Sequence, residues 1–139
     1  MTLLERAIQI AVNAHAGQQG KDGSPYILHP LRLMMNMASE DEKIVAVLHD
    51  VVEDTNISFE DLREEGFSKH VIEALQLLTH ESAVPYETYV EHLKSNPIAK
   101  AVKLADLEDN SDIRRLSGIE ETDLQRLKKY HRAWMILRK

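Results

Sequence analysis

The chain has 139 residues, 43% hydrophobic and 29% charged, with a formal net charge of -6 and no cysteine. That size and composition suit a single soluble globular domain over residues 1–139 with a sizeable core, not a disordered chain. The acidic balance, with no basic block, argues against nucleic acid as a partner, and the missing thiols exclude disulfides and thiolate zinc sites, in keeping with a reducing cytoplasm.

Thr2 and Glu5 fit a capping box, and Leu3, Leu4, Ala7, Ile8, Ala11, Val12 and His15 recur at helical spacing. Glu5 and Arg6 inside this pattern exclude a signal peptide, and no apolar run is long enough to span a membrane. Gly17 stops the first helix, and Gly17 to Pro25 reads as a loop. A second helix begins near His29-Pro30, with Leu31, Met34, Met35 and Met37 as an apolar face. Ser39 and Glu42 form another capping box, opening a helix expected to carry His49 and Asp50 and to end at Thr55-Asn56.

Ser58 with Asp61 opens a short helix with Phe59 and Leu62 inward, closed by Gly66. Val71, Ile72, Ala74, Leu75, Leu77 and Leu78 mark the next, expected to be central. Pro85 starts a helix with Tyr86, Tyr89, Val90 and Leu93, and Asn96-Pro97 a long one through Leu107. The last covers about Thr122 to Leu137, with Leu124, Leu127, Tyr130, Ala133, Trp134 and Leu137 on its face. With no alternating strand pattern, the expectation is an all-α bundle of about seven or eight helices.

The chemistry concentrates in Leu48-His49-Asp50-Val51-Val52-Glu53-Asp54-Thr55, where four ionisable side chains emerge directly from the apolar run Ile44 to Leu48. Buried carboxylates need a compensating cation or hydrogen-bond donors. On a continuous helix, Glu53 would share a face with His49, and Asp54 with Asp50. His29 stands where a loop enters a helix, and Asp106 sits between apolar neighbours on a core helix. Asp106 is explained either by a buried salt bridge, to Lys103 or an arginine, or by a metal. His29, His49, Asp50 and Asp106 make a mixed nitrogen and oxygen set suited to Mn²⁺, Fe²⁺, Co²⁺ or Zn²⁺ rather than Ca²⁺. His15 lies near the glycine-rich loop, whereas His70, His80, His92 and His131 read as structural or surface residues.

His29, then His49-Asp50, then Asp106 is the H…HD…D pattern of the HD-domain metal-dependent phosphohydrolases. The likeness narrows with His15-Ala16-Gly17-Gln18, with Gly23-Ser24-Pro25-Tyr26-Ile27 ahead of His29-Pro30-Leu31, with Leu48 through Thr55, and with Val102-Lys103-Leu104-Ala105-Asp106 through Asn110. Together they resemble the (p)ppGpp hydrolase domain of RelA/SpoT proteins, in that family's order and from the first helix to Trp134. The resemblance implies an HD-type helical bundle and a stand-alone small alarmone hydrolase. Its activity would be removal of the 3′-pyrophosphate of (p)ppGpp to give GDP or GTP and pyrophosphate, usually with Mn²⁺.

Position by position, the resemblance implies His29, His49, Asp50 and Asp106 as metal ligands and Glu53 and Asp54 as the pair that positions or activates water. It implies Asn110 and Lys21 as nucleotide contacts. Two departures stand out. Gly20 replaces an arginine that packs against the guanine base in the family, and Glu108 and Asp109 bring negative charge ahead of Asn110, near the phosphate path if they face it. Gly20 keeps open a hydrolase of another nucleotide, such as a 3′-phosphorylated one. A metal-retaining sensor without turnover is a third reading, against which the intact Glu53-Asp54 pair argues.

Overall fold

The computed structural model describes residues 1–139, and side-chain caps set most of its helix starts. Thr2, Ser39 and Ser58 each accept a backbone N–H three residues on, with Glu5, Glu42 and Asp61 reaching back to complete the boxes. Ser68 and Asn96 cap in the same way without a return bond. Each such cap stabilises its helix by about 1 kcal/mol.

The helices run α1 (Leu3–Ala14), α2 (Leu28–Met35), α3 (Glu40–Leu48), α4 (Val51–Asp54), α5 (Phe59–Glu64), α6 (Lys69–Leu78), α7 (Tyr86–Leu93), α8 (Pro97–Asn110) and α9 (Glu121–Arg138). A 3₁₀ turn at Ile113–Arg115 lies between the last two. Eight of the nine are longer than one turn, in line with the expected bundle, and there is no strand, only an isolated bridge between Gln19 and Pro25. No helix is long and apolar enough to cross a membrane.

Two expectations need correction. The central helix is α3, not α6: Ile44 through Leu48 is buried on every side, with α1, α2, α6 and α8 packed around it. A helix hydrophobic all round belongs in the middle of a bundle, whereas α6 keeps an exposed polar edge at His70 and Gln76. The second correction is that α3 does not carry His49 and Asp50. It ends at Leu48, His49 is its C-cap, and Asp50, at φ -104° and ψ 0°, caps the single turn α4. Consecutive residues of an unbroken helix point about 100° apart. The break lets His49 and Asp50 turn toward the same point.

On α9 the buried positions are Ala133 and Leu137, whereas Leu124 is exposed, because the first turns of α9 overhang a cleft instead of joining the core. In the glycine-rich loop, Gly17 (φ 84°) and Gly23 (φ 82°) take left-handed conformations that an L side chain resists. The loop closes on itself through Gly20 N–H to Ser24 O and Tyr26 N–H to Gln18 O, at 2.8 and 2.9 Å. That closure brings Tyr26 and His29 to the cleft.

Candidate metal centre and adjoining cleft

Three separate segments bring the four expected ligand residues together. His29 comes from the first turn of α2, His49 and Asp50 from the break after α3, and Asp106 from the buried face of α8. His29 Nε2 lies 2.8 Å from Asp106 Oδ1, which is 3.3 Å from His49 Nε2; His49 Nε2 is in turn 3.0 Å from Asp50 Oδ2. Donor atoms of His29, His49 and Asp50 all fall within 4.8 Å of one another.

Both imidazoles are aimed by their other nitrogen. His49 Nδ1 donates to the Ala46 carbonyl at 2.7 Å, and His29 Nδ1 to Asp109 Oδ2 at 2.6 Å. Each acceptor takes a hydrogen bond from Nδ1, so that Nε2 is the nitrogen left to meet the carboxylates. His49 Nε2 is fully buried and makes no hydrogen bond of its own.

A divalent ion fits this arrangement. Neighbouring donors around an octahedral ion with bonds of about 2.1 Å stand about 3.0 Å apart, and the observed separations straddle that value. The electrostatics agree. Burial alone would hold both imidazoles neutral, yet the surrounding carboxylates draw His29 and, more strongly, His49 upward toward the charged form. Asp106, buried as it is, stays well below the usual carboxylate range because Lys103 and both imidazoles face it. The site is built to hold positive charge.

The salt-bridge reading of Asp106 is met as well. Lys103 Nζ lies 3.0 Å from Asp106 Oδ2 and over the rings of Tyr86 and Tyr89. Asn110 Nδ2 donates to Asp106 Oδ1 at 3.1 Å. Lys103 lies three residues before Asp106, and Asp109 and Asn110 three and four after it, so one side of α8 presents all of them.

Glu53 and Asp54 stand at the solvent edge. Glu53 joins a small pocket of about 120 Å³ with His49, Asp50, His80, Lys103 and Asp106, and its Oε1 accepts the His80 backbone N–H at 3.0 Å. Partial burial, followed by the nearby Asp50 charge, raises both Glu53 and Asp54 above their ordinary values. Only Glu53 of the two lines this pocket.

A larger cleft of about 210 Å³ opens beside His29, lined by the glycine-rich loop, the end of α8, the 3₁₀ turn and the first turns of α9. Lys21 and Asn110 both line it, with Arg32, Arg115 and Arg126. Lys21 Nζ reaches toward the Tyr130 hydroxyl at 3.5 Å and lies over that ring. Of the two acidic departures, Glu108 is exposed and turned to a groove between α2 and α8, away from this cleft. Asp109 is engaged by His29 and two arginines, and Asp22, Asp112 and Asp123 line the cleft beside its cations.

Several residues beyond those expected serve the site. Tyr26 donates its hydroxyl to Asp50 Oδ2, and burial next to that carboxylate pushes the phenol far above its normal range. His15 is buried behind it, with ring centroids 4.9 Å apart, and lines neither pocket. His80 contributes a backbone N–H, and Asp109 its carboxylate. The spacing of Asp109 three residues after Asp106 was the available sequence signal for it; nothing local marks Arg115 or the His80 amide.

No protein-family model matches the chain. It is 30% identical over 119 residues to the guanosine-3′,5′-bis(diphosphate) 3′-pyrophosphohydrolase of Aquifex aeolicus, covering 77% of this chain and 17% of that protein. It spans less than a fifth of the length of the first curated relatives it matches. Among solved structures, a metazoan ortholog of SpoT described as hydrolysing ppGpp shares the fold: the TM-score is 0.76 over 99% of this chain and 84% of the other, at 24% identity. The guanosine-3′,5′-bis(diphosphate) 3′-pyrophosphohydrolase MESH1 of Danio rerio is 34% identical over 142 residues, covering 92% of this chain and 78% of that protein. Similarity of that extent, over most of both sequences, shows that this chain belongs to the guanosine-3′,5′-bis(diphosphate) 3′-pyrophosphohydrolase family.

Proposed function

We propose that the protein is a metal-dependent (p)ppGpp 3′-pyrophosphohydrolase that releases pyrophosphate and leaves GDP or GTP. The observation that carries this reading is the convergence of two imidazole Nε2 atoms and two carboxylates, next to a cleft with cationic side chains. His29, His49, Asp50 and Asp106 would hold the ion, for which Mn²⁺ is the assignment. When bound, it supplies Lewis-acid polarisation of a phosphoryl oxygen and acidifies water.

The chain's own groups supply the rest. Glu53, steadied by the His80 amide, orients a water and accepts its proton, a contribution of about 10²–10⁴-fold. Asp54 adds a second carboxylate on the same turn and keeps that edge receptive to a proton. Tyr26 holds Asp50 in place, and Lys103 balances the charge of Asp106. Lys21 and Asn110 face the nucleotide in the cleft. Gly20, on the same wall and without a side chain to stack on a base, favours a second reading in which another 3′-phosphorylated nucleotide is the substrate.

Metal-stripped protein supplied with Mn²⁺ is incubated with ppGpp, GTP, deoxynucleoside triphosphates and a 3′-phosphonucleotide, and released pyrophosphate and phosphate are measured. Pyrophosphate from ppGpp is the expected result. Turnover of the other nucleotides alone selects the second reading, and binding without turnover selects a sensor.

A further inference from the structure

Asp109 carries more hydrogen bonds than charge balance calls for. Its Oδ2 accepts from His29 Nδ1 at 2.6 Å and from Arg32 Nη2 at 3.0 Å. Its Oδ1 accepts from Arg32 Nε at 2.9 Å and from Arg115 Nη1 at 3.4 Å, and its backbone carbonyl from Arg115 Nη2 at 2.6 Å. His29 and Arg32 belong to α2, Asp109 to α8 and Arg115 to the 3₁₀ turn, so three elements meet on one carboxylate that is 14% exposed.

We propose that Asp109 is a positioning residue, which holds the His29 imidazole with its proton on Nδ1 and its Nε2 turned toward His49, Asp50 and Asp106, and so sets the affinity of the centre for a divalent ion. This rests on the metal-binding reading given above. Both ring nitrogens face carboxylates, Nδ1 that of Asp109 and Nε2 that of Asp106, and an ionised carboxylate only accepts; with an ion on Nε2 the ring proton belongs on Nδ1, where Asp109 receives it. The fork of Arg32 grips both carboxylate oxygens and keeps them from rotating away from the ring.

The two histidines draw their Nδ1 acceptors from different sources. His49 finds its Nδ1 acceptor three residues back, at Ala46 O, within α3. For His29 the carbonyl three residues back, Tyr26 O, accepts the His29 backbone N–H at 3.0 Å. Its ring instead meets an acceptor across the interface from α8. Partners of this kind, contacting a ligand residue rather than the ion, typically change metal affinity by about 10–100-fold.

The test is the Mn²⁺ dissociation constant of metal-stripped wild type and three variants, by calorimetry, with far-UV circular dichroism to establish the fold. Asp109→Ala is expected to bind Mn²⁺ about 10–100-fold more weakly. Asp109→Asn keeps size and shape, and so decides the matter if the alanine variant does not fold. The arginines donate only, so they retain its amide oxygen and turn the NH₂ toward His29 Nδ1, driving the ring proton onto Nε2. Its binding is expected to weaken at least as much. Glu108→Gln, at the exposed neighbouring position, is expected to bind like wild type. Wild-type affinity in folded Asp109→Ala or Asp109→Asn, with Mn²⁺ bound normally by the wild type, overturns this inference alone. A wild type that takes up no Mn²⁺ overturns it together with the metal-binding reading.

Discussion

At the scale of single residues, His49 and Asp50 show how adjacent side chains come to act on one point. A buried imidazole with its outer nitrogen tied to Ala46 O has one direction left for Nε2, and Asp50 Oδ2 lies in it at 3.0 Å. Asp50 is held there by the Tyr26 hydroxyl. Replacing Asp50 by alanine removes a carboxylate of the proposed metal set and strands both neighbours. Asp50→Ala is therefore expected to lose its bound metal and its ppGpp turnover together. Glu53 touches none of the four ligand residues by hydrogen bond and is anchored instead to the His80 amide. Glu53→Ala should keep its metal while turnover falls by about 10²–10⁴-fold. Metal content by plasma mass spectrometry beside kcat separates the two; equal metal loss in both, or full activity in both, contradicts the assigned roles.

At the scale of elements, α3 is the piece whose displacement would be felt throughout. Its last residues are enclosed on all sides, and Leu48, fully buried, immediately precedes the break that aims His49 and Asp50. Leu48→Ala would leave a cavity costing about 2–5 kcal/mol. Urea denaturation should show that loss, accompanied by weaker Mn²⁺ binding because Leu48 directly precedes His49 and Asp50. The N-terminal end of the same helix is held by Ser39, whose hydroxyl accepts the Glu42 N–H at 3.1 Å. Ser39→Ala is expected to cost only about 1 kcal/mol, or roughly 3 °C in Tm for a chain of this length, with metal affinity unchanged. The contrast matters because Ser39 is exposed and lies at the far end of α3 from the centre.

At the scale of the whole molecule, the centre joins α2, the α3–α4 break and α8, elements up to 80 positions apart in the chain. An ion bound there ties them in the native state alone. Mn²⁺ at 100 times its dissociation constant should stabilise the fold by about 2.7 kcal/mol, roughly 9 °C in Tm, and EDTA should reverse the shift. Thermal melts with and without chelator check this; coincident melts contradict a metal shared among the three elements.

Helix starts were legible in the chain because a cap is a local event: Thr2, Ser39 and Ser58 meet their partners three residues away. The composition of the centre was legible too, since histidine and aspartate set against apolar neighbours at positions 29, 49, 50 and 106 stand out without knowledge of contacts. The break between Leu48 and Asp50 was not, because the helical pattern runs through it and only packing against α2 and α8 decides where the backbone turns. Nor was the position of α6 relative to α3, since both read as apolar helices and burial on every side depends on what surrounds each. The bonds from Asp109, Arg32 and Arg115 likewise join residues 77 and 80 positions apart to others only six apart, and no periodicity carries that information. The sequence by itself determined which side chains hold the charge and where the capped helices begin. The direction in which each group points was decided by tertiary structure, because orientation depends on acceptors and neighbours that the folded chain alone brings within reach.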